Sequence, residues 1–235
     1  MSEPTYEVYD SERITTSMLS EAVEIFNESY NIWRTLSECG TEESRVQTTI
    51  RELREQLHPV GAMTYYVRVI VDKNPVGYAF ACRWICGVEQ ICWITQLAVK
   101  PAHRERGLAR GLLRKLRHST DNIYGIMSPH PAACVAAASS FGESIEHISL
   151  AFIDRNLDVV IGSSPIHSIY FATPYGSLFH PLDASGLVCG ATYRFFVDRE
   201  EHNAALRRVR ATRNWPLGDL PDGCQYLLMD RTRSI

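Results

Sequence analysis

The chain has 235 residues, 45% of them hydrophobic and 22% charged, with a formal net charge of −3. Those proportions suit one large globular domain and exclude collagen-like, disordered and coiled-coil chains. The near-even charge balance argues against a general nucleic-acid binder, and the longest purely apolar run, Ala132 to Ala138, is far short of the roughly 18 residues a membrane helix needs.

Met1-Ser2-Glu3-Pro4 has neither a basic start nor an apolar core, so no secretory signal is read there. Seven cysteines, an odd number without any Cys-x-x-Cys pair, read as reduced thiols in a cytoplasmic setting, with no metal site. The nearest pair, Cys82 and Cys86, reads as small buried side chains.

In chain order, Leu19, Ala22, Val23, Phe26, Tyr30 and Trp33 form the stripe of a first amphipathic helix, which Thr15, Thr16 or Ser17 would cap. Val46, Ile50, Leu53 and Leu57 predict a second helix, capped by Thr41 and ended by His58-Pro59. The period then changes. Tyr65 to Val71, Val76 to Cys86 and Ile91 to Val99 are rich in β-branched and aromatic residues, and turns at 72–75 and around Gly87 make them an antiparallel meander. Gly77 marks a weak point or bulge. Leu108, Leu112, Leu113 and Leu116 restore the helical period, and Ile123 to Met127 is a short buried strand, so this strand–helix–strand unit predicts a parallel crossover pair. Pro131 starts an alanine-rich helix, and Leu150, Ile153, Leu157 and Val160 mark another. Gly162 to Pro181 reads as a long loop, Leu187 to Val197 as a strand, Glu200 to Ala211 as a helix, and Gln225 to Met229 as a last strand.

The chemistry points to residues 96–113. An apolar strand runs into a basic, glycine-containing turn, and a helix starts there. The first amides of a helix have no internal partner and sit at the positive end of its dipole, so such a turn suits phosphate oxygens. Between Lys100 and Thr120 there are seven basic residues and one acid, Glu105. A local cation cluster on an otherwise acidic chain fits a small polyanion; an ordinary solvated helix face and a nucleic-acid contact are the alternatives, and the helix lacks the interleaved aromatics of the latter.

Arg104-x-x-Gly107-x-Ala109, preceded by Leu97-Ala98-Val99 and followed by the Leu112-Leu113 helix, resembles the signature of the GNAT superfamily of N-acetyltransferases. The likeness covers about residues 64–142, and the run Ser128 to Cys134 is also similar to a set of fungal members. The resemblance implies a single 1–235 domain with a variable part over 143–235. Its fold would be α/β, a mixed, mostly antiparallel sheet flanked by helices and splayed between its fourth and fifth strands. Arg104, Glu105, Arg106, Gly107, Leu108 and Ala109 would form the cofactor loop, the amides from Arg106 to Ala109 holding the pyrophosphate of acetyl-coenzyme A and Arg104 adding side-chain charge. The backbone of Leu97 and Val99 would bind the pantetheine arm as an added strand, and an amide near Leu97 or Ala98 would face the acetyl oxygen.

The family often places a glutamate base on the fourth strand and a tyrosine acid in the helix after the fifth. Here the strand carries Thr95 and Gln96, and Ala138 stands near the tyrosine position. The substitutes read from the residues are His130 as a base, Glu89 as a base acting through water, and Tyr124 as the donor to the thiolate. Against them stand a loop histidine with a structural bond, a solvated turn acid and a packed strand tyrosine. Cys134 as an acylated nucleophile is set against a packing thiol. Tyr30, Trp33 and Glu38, with His167, Tyr170, Tyr175 and His180, would bind the acceptor, aromatics beside an acid suiting an amine. Core packing competes for Trp33.

The expectation is therefore acetyl-coenzyme A-dependent N-acetyl transfer by direct attack on an amine, a small molecule before a protein, with no membrane or nucleic-acid partner and a homodimer left open. A non-catalytic acyl-coenzyme A-binding or regulatory protein is the alternative.

Overall fold

Strand alternation builds the sheet, and helical stripes build its two covers. The computed structural model describes residues 3–29, 32–35, 43–45, 47–57, 59–192 and 196–233. In chain order the elements are β1 (Thr5–Asp10), α1 (Thr16–Ser29), β2 (Ile32–Thr35), β3 (Glu43–Arg45), α2 (Ile50–Glu55), β4 (Met63–Val71), β5 (Asn74–Cys86), β6 (Glu89–Val99), α3 (Leu108–Leu116), β7 (Ile123–Ser128), α4 (Pro131–Phe141), α5 (Leu150–Gly162), α6 (His167–Tyr170), β8 (Thr173–Tyr175), β9 (Gly190–Thr192), β10 (Phe196–Val197), α7 (Arg199–Arg210) and β11 (Cys224–Arg231). No described helix is long and apolar enough to cross a membrane.

Eight strands form one sheet in the order β1-β4-β5-β6-β7-β11-β9-β8, and β10-β2-β3 form a small second sheet. Among the described residues β6 and β7 are the parallel neighbours, and the other pairs run antiparallel. The α/β, mixed and mostly antiparallel class read from the sequence is the observed one. On one face, Leu19, Ala22 and Ile25 of α1 and Leu53 of α2 pack on Tyr66, Tyr78, Phe80 and Ala98. On the other, α3 and α4 bury Leu112, Leu113 and Phe141 in the larger core, to which α5 adds Ile153 and Leu157. Small side chains on several sides of α4, among them Ala133, Cys134, Ala137 and Ala138, let it lie buried against its neighbours.

Several boundaries differ from the sequence reading, each for a physical reason. β1 was not anticipated; it is a half-exposed edge strand that gains its place by pairing Thr5 with Ile70 through Asp10 with Tyr65. α1 stops at Ser29, so Trp33 belongs to a strand and not to the helical stripe. Thr49, not Thr41, caps α2: its hydroxyl accepts from the Glu52 amide at 3.2 Å while the Glu52 carboxylate accepts from the Thr49 amide at 2.9 Å. Thr41 lies outside the described residues. The 162–181 segment is not one loop, since it contains α6 and β8, and the predicted strand at 187–197 divides between β9 and β10 in two different sheets.

The feature that matters for function is how the central pair parts. β6 and β7 are in register from Ile91 opposite Ile123 to Ile94 opposite Ile126, and there the ladder between them ends. Past that point β6 stays on β5, with Leu97 opposite Ala79 and Val99 opposite Gly77, while β7 stays on β11, with Ser128 opposite Tyr226. A bulge starts the divergence: Phe80 pairs with Gln96 but Ala81 with Ile94, which leaves Thr95 as the extra residue. Gly125 permits the close contact just before the split, because a Cβ there would lie 2.3 Å from the buried Trp93 ring.

A buried ion pair fixes the return from α3 to β7. Arg83 Nε donates to Asp121 Oδ1 at 2.6 Å, and its Nη2 donates to Asp121 Oδ2 and to the Leu116 carbonyl at the end of α3. Asp121 also accepts from the His118 amide at 2.8 Å, so both buried charges have several partners.

Candidate active site

A cleft of about 740 Å³ lies where the two strands part. Leu97, Ala98 and Val99 of β6 form one wall, the turn from His103 to Gly107 and the start of α3 form its rim, and Pro129, His130 and the first turns of α4 form the base of the opposite wall. The second wall is completed by α7. The cleft-lining residues Asp198 at its N-cap, Glu201, His202, Ala205, Arg208 and Val209 along it, and Thr212 just past its end recur at helical spacing.

Local conformation explains the turn. Glu105 and Gly107 both take the left-handed region, at φ 63° and 77°. Gly107 is the N-cap of α3 and offers no side chain to the amides of the first turn; no acid stands in that turn either. Open space surrounds Gly107, the nearest atom to an added Cβ being Arg110 Nη2 at 4.0 Å. Uncapped amides, a helix dipole and the Arg110 guanidinium thus converge on one rim of the cleft.

Arg104 has a different position from the one expected. Its Nε donates to the Val99 carbonyl at 3.1 Å, and its two terminal nitrogens donate to the Ser29 carbonyl at the end of α1 and to Glu201 of α7. The guanidinium therefore ties α1, the end of β6 and α7 together, and it is engaged on protein oxygens. A second pair crosses the mouth, Arg208 Nε to Glu105 Oε1 at 3.3 Å.

Two histidines open onto the cleft with opposite polarity. His130 caps α4, its Nδ1 accepting from the Ala132 amide at 3.2 Å. An amide can only donate, so Nδ1 carries no proton and the neutral ring is the Nε2–H tautomer, a donor. His202 Nδ1 lies 3.0 Å from the Pro129 carbonyl, which can only accept, so the proton of its neutral ring is on Nδ1 and Nε2 is an acceptor. The His202 ring stacks on Tyr226 at 5.9 Å. Burial, with Arg104 next, pushes His130 down to about 4, and burial also lowers His202 although the Pro129 carbonyl works against it. Both rings are neutral at pH 7.

The depressed His130 makes the fold acid-sensitive. The unfolded chain takes up that proton near pH 6.5 and the folded chain only near 4, so stability is complete above pH 6.5 and falls as the pH drops toward 4. Arg104, Glu201, His202 and Arg208 face the ring and set this window. His130→Asn, which keeps a side-chain cap, should flatten the loss by roughly 2 kcal/mol in urea titrations between pH 6.5 and 4. An unchanged slope in the variant would remove the histidine as its source.

The remaining sequence candidates lie elsewhere. Glu89 begins β6, roughly 26 Å along the strand from Leu97, and pairs with Arg231 at 3.0 Å. Tyr124 is buried against Phe141 with ring centroids 5.3 Å apart, and burial pushes its phenol up. Cys134 is fully buried and pushed up to about 12 by burial, the environment of a packing thiol. Tyr170 stacks on Phe171, and Tyr175 donates to Asp183; both belong to the segment at the β8 edge, four strands from β6, so this segment does not cover the cleft. Tyr30 and Glu38 lie outside the described residues. The sequence reading missed Glu201, His202 and Arg208, although the i, i+3, i+4, i+7 stripe of Asp198, Glu201, His202 and Ala205 was there to be read.

The fold is thus an α/β one whose mixed sheet splits over an uncapped helix start, leaving a cleft between its central strands. Residues 21–126 match the model of the acetyltransferase (GNAT) family. No curated protein matches it. Among solved structures it is similar to a tandem GNAT protein from the clavulanic acid biosynthesis pathway, at 17% identity and TM-score 0.42, over 59% of this chain and 43% of that one. It is also similar to the ribosomal-protein-S18-alanine N-acetyltransferase from Escherichia coli, at 13% identity and TM-score 0.39, over 58% of this chain and 76% of that one. A diaminobutyrate acetyltransferase from Paenibacillus lautus is similar at 13% identity and TM-score 0.36, over 59% and 72% of the two chains. The chain thus spans less than half the length of the tandem protein.

Proposed function

We propose that this chain is a single-domain N-acetyltransferase that moves an acetyl group from acetyl-coenzyme A to an amine, by direct attack and without an acylated enzyme. The observation that carries this reading is the cleft itself, in which the β6 segment from Leu97 to Val99, the Gly107 turn and two neutral histidines face one another. The amides from Arg106 to Ala109, with Arg110, hold the diphosphate. The pantetheine arm runs along Leu97 to Val99, which turns its thioester toward the split.

His202 Nε2 takes the proton of the attacking amine. The amine lone pair forms the C–N bond, the carbonyl π pair moves to oxygen, and its return breaks the C–S bond. The proton held on His202 then passes to the departing sulfur, which leaves the histidine neutral again. His130 keeps its proton, because its Nδ1 is already an acceptor; its Nε2–H offers a hydrogen bond to the oxygen or the sulfur as charge develops there. Two such groups of opposite polarity favour an enzyme over a protein that only binds acyl-coenzyme A. The acceptor is a small-molecule amine, which suits a cleft closed on its second side by α7.

The test is thiol release from acetyl-coenzyme A with a panel of diamines, arylalkylamines, amino sugars and peptides with free N-termini. Release well above hydrolysis with a small amine is the expected result. Tight coenzyme A binding without release from any amine would establish the binder instead, and absence of binding would remove the cleft as the site.

A further inference from the structure

Coenzyme A carries three phosphate groups, and the Gly107 turn accounts for the two of the diphosphate. We propose that Arg208 of α7 receives the third, the ribose 3′-phosphate; this rests on the coenzyme reading above and extends it to a helix outside the matched 21–126 segment. With the pantetheine directed inward along β6, the adenosine end lies at the outer mouth of the cleft. α7 spans that mouth with a graded charge. Among the residues that line the cleft, Asp198 at its N-cap and Glu201 in its first turn are acidic, while Arg208 in its last turn and Arg213 just beyond the helix are basic. Arg213 leans away toward Glu146, 3.8 Å distant.

Arg208 stands across the mouth from the turn and meets it through Glu105, the one acid between Lys100 and Thr120. Both side chains are largely exposed, at 62% and 72%, so the pair is weak and exchangeable. A phosphate of nearly two negative charges at the same place is the stronger partner for a guanidinium, which it meets with two parallel hydrogen bonds. Glu105 holds Arg208 at the mouth, and the 3′-phosphate draws it off.

Calorimetric titration with coenzyme A and with 3′-dephospho-coenzyme A separates the contributions. The parent protein should prefer coenzyme A by about tenfold, which Arg208→Ala should abolish by weakening coenzyme A alone. Glu105→Gln distinguishes ligand contact from loop support. If Arg208 binds phosphate, freeing it tightens coenzyme A; if Arg208 only steadies the turn, Glu105→Gln weakens both ligands as Arg208→Ala does. Equal losses for the two ligands in Arg208→Ala, or none, would overturn the assignment while leaving the coenzyme reading in place. Failure of the parent to bind either ligand would overturn both.

Discussion

Gly107→Glu should weaken coenzyme A binding by about a hundredfold, roughly 3 kcal/mol, and leave the protein folded. The position has a φ of 77° and nothing within 4 Å of an added Cβ except Arg110 Nη2 at that limit. A side chain therefore fits without collision, and the left-handed backbone costs about 1 kcal/mol of stability. The new carboxylate stands beside the first turn of α3, the proposed diphosphate site, and draws the Arg110 guanidinium onto itself. Like charges brought together at a binding site cost several kcal/mol. Gly107→Ala separates the two effects, because it carries the backbone strain without the charge and should lose only a fewfold. Equal affinity in the glutamate variant and the parent, with circular dichroism unchanged, would show that the diphosphate lies elsewhere.

Local pattern reached the middle of the chain well. The crossover from β6 through α3 to β7 was legible because the apolar period changes from two to nearly four and back within about 40 residues, and glycine marks the joint. The three meander strands were legible for a similar reason, each being long and bounded by turn residues. Edge elements were not. β1 buries little, so its alternation is shallow, and only the partner Met63–Val71 makes it a strand. The bulge at Thr95 was also silent, since it is defined by register against Phe80 and Ala81.

The site divides along the same line. The turn and its glycine are written in consecutive residues and were read directly. The second wall of the cleft is not. Amphipathic spacing shows that Glu200 to Ala211 forms a helix with a face, but it does not say what the face meets. The Arg104–Glu201 tie joins residues 97 positions apart, and with the Val99 and Ser29 carbonyls it holds the Arg104 guanidinium on protein oxygens. Glu89 and Tyr124 were credible as residue types near the right strands, yet strand direction carries Glu89 to the far end and packing on Phe141 seals Tyr124. The histidine tautomers were beyond any sequence pattern. They follow from one amide at Ala132 and one carbonyl at Pro129, and the second is 73 residues from the ring it orients.

Those tautomers lead to the second large effect. His202→Asn should lower kcat by 10²–10⁴-fold, about 3–5 kcal/mol of barrier, with coenzyme A affinity unchanged. The asparagine amide can donate to the Pro129 carbonyl as Nδ1 does, so the anchor of α7 on the β7–α4 junction survives, and the basic Nε2 is what disappears. The pH profile gives an independent readout. Because burial holds His202 below its ordinary value, with Arg199, Arg210, Asp219 and His130 among the charged and titratable groups around it, the parent should keep full activity through neutral pH. Its kcat should fall only on the acid side of pH 6.5, as Nε2 is protonated and loses its lone pair. The variant should lose that acid limb, and added imidazole should restore part of its turnover. His130→Asn should behave differently, with a smaller loss of kcat and the parent's acid limb retained, because a hydrogen-bond donor has been exchanged and no base removed. A His202→Asn protein turning over within a fewfold of the parent, on an amine the parent acetylates, would return the proton to solvent and leave His202 as an anchor for α7.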